Sequence, residues 1–93
     1  MENNRKEFVR DAIIVNELGL HARSAAKIAK IAQRAAGKIW IMKDASKVDA
    51  ASIIDILTLE GITGSKITFS IEDRSDAELL SELIQLVKSG FGE

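Results

Sequence analysis

Cysteine and proline are both absent from the 93-residue chain, and histidine occurs once. Without cysteine there is no disulfide and no thiolate metal site. A lone imidazole, His21, excludes a histidine-rich metal site as well, so no metal and no cofactor are expected. Aromatics are scarce at 4%, and Phe8, Trp40, Phe69 and Phe91 are too few for a stacking platform along single-stranded nucleic acid. Neither sign of charge dominates. Thirteen basic and 14 acidic side chains give a net charge of −1, which excludes a global basic field for nucleic acid. The apolar runs are far shorter than a membrane span, and the polar N-terminus leads into no signal-peptide core. A soluble cytoplasmic protein is expected.

What is present is an ordinary globular balance, 46% hydrophobic against 29% charged, in a length that allows one domain over residues 1–93. With so few aromatics, the core must be built from Ile, Leu, Val and Ala. Residues 1–6 read as a solvated tail. Residues 8–15 read as a strand, and Asn16-Glu17-Leu18-Gly19 as a turn. A helix follows over 22–36, ended by Gly37. Its Ala25, Ile28, Ala29, Ala32, Ala35 and Ala36 form a buried face of small residues suited to close approach. Strands are expected over 38–43 and 47–50, joined by a turn at Asp44-Ala45-Ser46. Residues 52–59 favour a short helix capped by Ser52, with Asp55 completing a weak capping box. Residues 66–72 alternate as a half-buried strand. A last helix shows a Ser75/Glu78 capping box, a stripe of Leu80, Leu83, Ile84 and Val87, and Gly90 as its stop. The order is βαββαβα. One sheet with helices on one face buries these stripes most simply. Pattern alone leaves the strand order open, and a ferredoxin-like domain with an extra helix gives nearly the same string.

His21 lies between a Gly-containing turn and a helix start. Such a helix end presents unpaired N–H groups and partial positive charge, and so attracts anions. Arg23 can hold a phosphate through two oxygens. Imidazole is a good neutral nucleophile near neutral pH. Together these groups can take a phosphoryl group onto the ring, screen its charge and leave it transferable. On the same helix Arg23, Lys27, Lys30 and Arg34 form a basic stripe that can steer acidic partners toward His21. The plain alternative for both features is a solvated surface, as in a non-catalytic α+β interaction or ligand-sensing domain.

The run Gly19-Leu20-His21-Ala22-Arg23-Ser24-Ala25-Ala26 resembles the active-centre motif of the HPr family. These are the histidine phosphocarriers of the bacterial phosphoenolpyruvate-dependent sugar phosphotransferase system. The family pattern is Gly-(aliphatic)-His-(small)-Arg-Pro-(small)-(small). A second run, Ser52-Ile53-Ile54-Asp55-Ile56-Leu57-Thr58-Leu59-Glu60, resembles the family's regulatory-serine helix, and the spacing and element order fit over nearly the whole chain.

The resemblance implies an α+β open-faced β-sandwich, a four-stranded antiparallel sheet covered on one face by three helices. It implies a phosphoryl group accepted on Nδ1 of His21 from the phosphorylated first enzyme of the system, then passed to a sugar-specific component. Arg23 would neutralise the phosphate, with Ala22 and Ser24 completing the active centre. Partner contacts would involve Leu20, Ala26, Ile53, Ile54 and Leu57, ringed by Arg23, Lys27 and Lys30, with Ile54 and Leu57 favoured as the exposed members. Ser52 would be the site of a regulatory kinase or phosphorylase. A monomer without nucleic-acid or membrane partners is expected, a group carrier in a relay rather than a stand-alone enzyme. Two positions depart from the family. Ser24 replaces a Pro that presets the first helical turn, and could cap the helix or donate to a phosphate. Ala51 stands where a basic residue is common before Ser52. Within the family, the nitrogen-related regulatory branch is the alternative to sugar transport.

Overall fold

The computed structural model describes residues 8–93. The tail expected over residues 1–6 lies outside the described residues. The alternation of Ile67, Phe69 and Ile71 with Thr68 and Ser70 makes β4 (Lys66–Ile71) a strand with one face turned inward. It pairs antiparallel with β1 (Val9–Ile13) on one side and β2 (Ile39–Lys43) on the other. β2 in turn pairs antiparallel with β3 (Ser46–Asp49). The sheet order is β1-β4-β2-β3. A split βαβ sheet is antiparallel too, but it places its first and third strands at the centre. Here β4 and β2 are central and β1 and β3 lie at the edges, so the ferredoxin-like alternative fails and the open-faced β-sandwich holds.

Among the described residues three helices follow the first strand: α1 (Ala22–Ala32), α2 (Ile53–Leu57) and α3 (Ala77–Lys88). They cover one face of the sheet. Ala12, Ile39, Ile41, Ile67, Phe69 and Ile71 meet Ala25, Ile28, Ala29, Leu80, Leu83, Ile84 and Val87 in one core, aliphatic apart from Phe69 and Phe91. The alanines of α1 let its backbone lie close against its neighbours. The other sheet face stays open, where Trp40 donates to Glu72 at 2.8 Å and lies beside Lys38 and Lys47. Among the described residues no helix is long and apolar enough to cross a membrane.

Asp76 accounts for the main differences from the expected boundaries. Its buried carboxylate accepts the N–H groups of Ala36 at 2.8 Å and Gly37 at 2.9 Å. Those amides are thus drawn away from the helix expected to run to residue 36, and α1 stops at Ala32. Arg34 and Ala35 continue only as tighter turns onto the carbonyls of Ile31 and Ala32. The same carboxylate, spent on another segment, does not cap α3, although Asp76 precedes its first residue. Asp73 caps instead, accepting Ser75 N–H at 2.9 Å and Ser75 Oγ–H at 2.8 Å ahead of a 3₁₀ turn over Arg74–Asp76. The expected Ser75/Glu78 box is therefore replaced.

At α2 the Ser52 hydroxyl does accept Asp55 N–H, at 3.2 Å, but the Ser52 N–H goes to the Asp49 carbonyl, so the box is not reciprocal. The first strand starts at Val9 rather than Phe8. It ends at Ile13 because Ile14 bonds through both backbone groups to Gly64 and Ser65 in the loop before β4.

Candidate functional site

The junction between β1 and α1 is fixed by glycine. Gly19 has φ +63°, and a Cβ there would meet the Gly61 carbonyl oxygen at 2.4 Å. Leu20 N–H donates to that oxygen at 2.9 Å, and a side chain at Gly61 would strike Leu20. The loop before β4 thereby clamps the turn before α1. Leu20 becomes a core residue, only 8% exposed, which leaves little of it for the partner contact expected there.

His21 follows in extended conformation as the N-cap of α1. Its backbone N–H donates to Ser24 Oγ at 2.9 Å, and the Ser24 hydroxyl reaches the carbonyls of Gly19 at 2.9 Å and His21 at 3.2 Å. Ser24 is fully buried. Its hydroxyl locks the start of the helix and does not face the site, which corrects the expectation that it could donate to a phosphate.

The His21 ring has a distinct partner at each nitrogen. Nδ1 accepts the Arg23 N–H at 3.3 Å, a long, weak bond. Nε2 lies 2.5 Å from Glu93 Oε2. A carboxylate there calls for a proton on Nε2, while an N–H donor at Nδ1 calls for a bare lone pair. Both contacts fit one tautomer.

Around the ring lies an open concavity with Ala22, Arg23 and Lys27 on the helix side and Leu18, Gly92 and Glu93 opposite. α1 has no acidic residue in its first turn. Ala22 and Arg23 are exposed, and no hydrogen bond or ion pair holds the Arg23 guanidinium among the described residues. The Glu93 carboxyl is held below the usual glutamate range, first by the Asn16 amide and then by His21. First-turn amides, an untethered guanidinium and an imidazole lone pair together suit a tetrahedral oxyanion.

The rest of the expected site is dispersed. The basic stripe is broken up: Lys27 Nζ donates to the Phe91 carbonyl at 2.6 Å, Arg34 forms a two-point pair with Glu82, and Lys30 alone of the four joins Arg23 as an exposed, untethered cation. Ala26 is half-buried. On α2, Ile54 is 75% exposed and Ile53 also reaches solvent, whereas Leu57, favoured as exposed, is half-buried against the core.

Ser52 is not brought to His21. Gln33, beyond the end of α1, donates to the carbonyl of Ala51. Ser52 and His21 thus stand at opposite ends of an 11-residue helix, on the order of 16 Å at 1.5 Å per residue. Three residues at the site were not singled out from sequence: Leu18, 67% exposed at its rim, Asn16 and Glu93. The turn pattern gave a hint of the first two, but no local signal joins Glu93 to a ring 72 residues away.

A family model described as "PTS HPr component phosphorylation site" matches residues 8–89. The phosphocarrier protein HPr of Cupriavidus necator is 33% identical over 84 residues, covering 90% of this chain and 94% of that protein. The phosphocarrier protein NPr of Shewanella violacea is 36% identical, with 90% and 92% covered. The crystal structure of HPr-C-His from Thermoanaerobacter tengcongensis superposes with a TM-score of 0.85 at 36% identity, covering 91% of this chain and 96% of that one. This chain belongs to the HPr family of phosphotransferase-system phosphocarriers.

Proposed function

We propose that His21 is the residue that carries the phosphoryl group, accepting it on Nδ1 from the phosphorylated first enzyme of the phosphotransferase system and yielding it to a sugar-specific component. The observation that carries this reading is the bare Nδ1, turned toward the first amides of α1 beside an untethered Arg23. The Nδ1 lone pair forms the new bond to phosphorus as the donor's bond to phosphorus breaks. The Arg23 N–H, only weakly engaged at 3.3 Å, then turns from the ring nitrogen to a phosphoryl oxygen. Arg23 screens the oxygens from outside. Positioning and charge compensation are what phosphoryl transfer chiefly needs. The relay operates in the cytoplasm.

Partner docking uses Ala22 beside the ring, Ala26 and Lys30 further along α1, and the exposed Ile53 and Ile54 of α2. Phosphorylation of Ser52 would add a dianion beside those isoleucines and repel an acidic partner. A second reading, a carrier that serves nitrogen-related regulation, is favoured by the likeness to proteins named NPr.

The test is incubation with phosphoenolpyruvate and the first enzyme, followed by intact-mass measurement. A single acid-labile phosphate, absent in His21→Ala, is expected. No uptake under conditions that charge a known carrier would refute the reading. The acceptor protein that discharges the product separates the sugar and nitrogen branches.

A further inference from the structure

We propose that Glu93 is a positioning residue for transfer at His21: its carboxylate keeps the ring proton on Nε2 and so presents Nδ1 as the nucleophile. This inference rests on the carrier reading of His21 and adds a residue that the motif does not contain.

The tail that delivers Glu93 is built for the purpose. Gly90, Phe91 and Gly92 adopt φ of +70°, +61° and +74°, and the middle one is not glycine. A left-handed Phe is unfavourable and persists only where its surroundings over-determine it. Here they do: the Phe91 side chain is fully buried in the core, and Lys27 Nζ binds its carbonyl at 2.6 Å. The turn sends Glu93 back over the start of α1.

Asn16 then orients the carboxylate. Its amide nitrogen donates to Glu93 Oε1 at 3.0 Å and to the Gly19 carbonyl at 2.9 Å. Asn16 is buried, and its Oδ1 has no partner among the described residues. An orphaned buried acceptor is unfavourable, so the amide bonds are what hold this side chain in place. With Oε1 taken by Asn16, Oε2 points at Nε2 at 2.5 Å.

The chemistry follows from the ring's electrons. If the proton moved to Nδ1, no lone pair would face the incoming phosphorus. With the proton on Nε2, Nδ1 attacks, the donor's bond to phosphorus breaks, and no proton has to leave. The ring becomes cationic, and the Glu93 carboxylate lies against that charge. A carboxylate behind an imidazole orients the ring and stabilises its charged form in the same way in hydrolytic triads.

The experiment uses the full chain labelled with ¹⁵N. At about pH 8.5, where an imidazole is neutral, imidazole nitrogen shifts report the tautomer. Uptake is measured from phosphoramidate, a small donor that needs no protein interface, and from the phosphorylated first enzyme. The wild type should show a bare Nδ1. Glu93→Gln should populate both tautomers and slow uptake from either donor by roughly tenfold, the worth of one charge-assisted bond. Glu93→Asp, with its shorter reach, should restore part of the rate, and melting should hardly change. A Glu93→Gln chain with the wild-type tautomer and a rate within about twofold of wild type overturns the inference alone. A wild type that neither donor charges overturns the carrier reading and the rate half with it, while a tautomer shift in Glu93→Gln still upholds the structural half.

Discussion

The starts of α1 and α3 solve the same physical problem in opposite ways. Each helix exposes unpaired amides and positive charge at its beginning. Ahead of α3 the chain supplies its own anions: Asp73 caps the preceding turn, Asp76 lies beside it and Glu78 occupies the first turn. At α1 the first turn holds no acid, the cap is an imidazole, and the lock is a buried serine hydroxyl. The carboxylate that touches the ring, Glu93, comes from 72 residues further along the chain and meets it at Nε2, away from the amides. A helix start satisfied by its own carboxylates is a structural joint. One locked from beneath by neutral groups is left open to a foreign anion.

The largest expected effects break this contrast from both sides. Asp76→Ala strands two amides that now bond to a buried carboxylate. It should lower stability by about 3 kcal/mol, from two lost charge-assisted bonds. Uptake of phosphate on His21 should continue wherever the domain stays folded. Arg23→Ala should do the reverse, slowing transfer by about a hundredfold, as for loss of one donor to a transition-state oxyanion, with melting unchanged. Denaturant titration beside single-turnover transfer measures both. If Arg23→Ala unfolded the domain, or Asp76→Ala stopped transfer while folded, the division between joint and site would be wrong.

The same contrast explains what could be read from sequence. The alternation of residues 66–71, the small apolar face of α1 and the Ser52 cap are local, and local periodicity carries them. The His-Ala-Arg placement at a helix start is local too, so the core of the candidate site was legible. Apart from the two capping boxes, which lose to Asp73 and Asp49 close by, the misreadings share one cause, a partner far away in sequence. Asp76 ends α1 from 39 and 40 residues away. Gly61 turns Leu20 inward, and the Phe91 carbonyl takes Lys27 out of the basic stripe. Glu93 reaches His21 by a tail whose left-handed Phe no pattern announces.

Ser24 offers a smaller, sharper test. Its hydroxyl bonds to the His21 N–H and the Gly19 carbonyl while fully buried. Ser24→Ala leaves those groups short of a partner and should lower stability by about 1 kcal/mol, the usual loss for a helix cap. Ser24→Pro restores a preset first turn yet removes the same bonds. It should therefore fall between Ala and wild type in stability, with His21 still able to take up phosphate. Denaturant midpoints of the three chains order them. A proline chain more stable than wild type would show that the serine lock contributes nothing the ring of proline cannot replace.

Acid should separate the two helix starts most finely. The Asp73 carboxyl is held below the ordinary aspartate range, first by the backbone N–H of Ser75 and then by its hydroxyl. A carboxyl whose folded value is lowered binds its proton more readily in the unfolded chain. Its contribution is therefore complete above the ordinary aspartate value and is lost as pH falls through the lower folded one. Asp49, held down by the Ala51 N–H and by Lys38, adds to the same acid limb. The serine lock at α1 has no titrating member. The carboxyl that reaches that start, Glu93, is held low as well and adds to the acid limb from the ring side, not through the lock. Below about pH 4 the turn ahead of α3 should loosen first, seen as faster hydrogen exchange at Ser75, while Ala25, bonded to the His21 carbonyl, keeps its protection. Asp73→Asn should flatten the acid limb of the stability curve by a small but measurable amount. An unchanged limb would mean that the α3 start does not draw on its own anions, and the contrast with α1 would lose its electrostatic half.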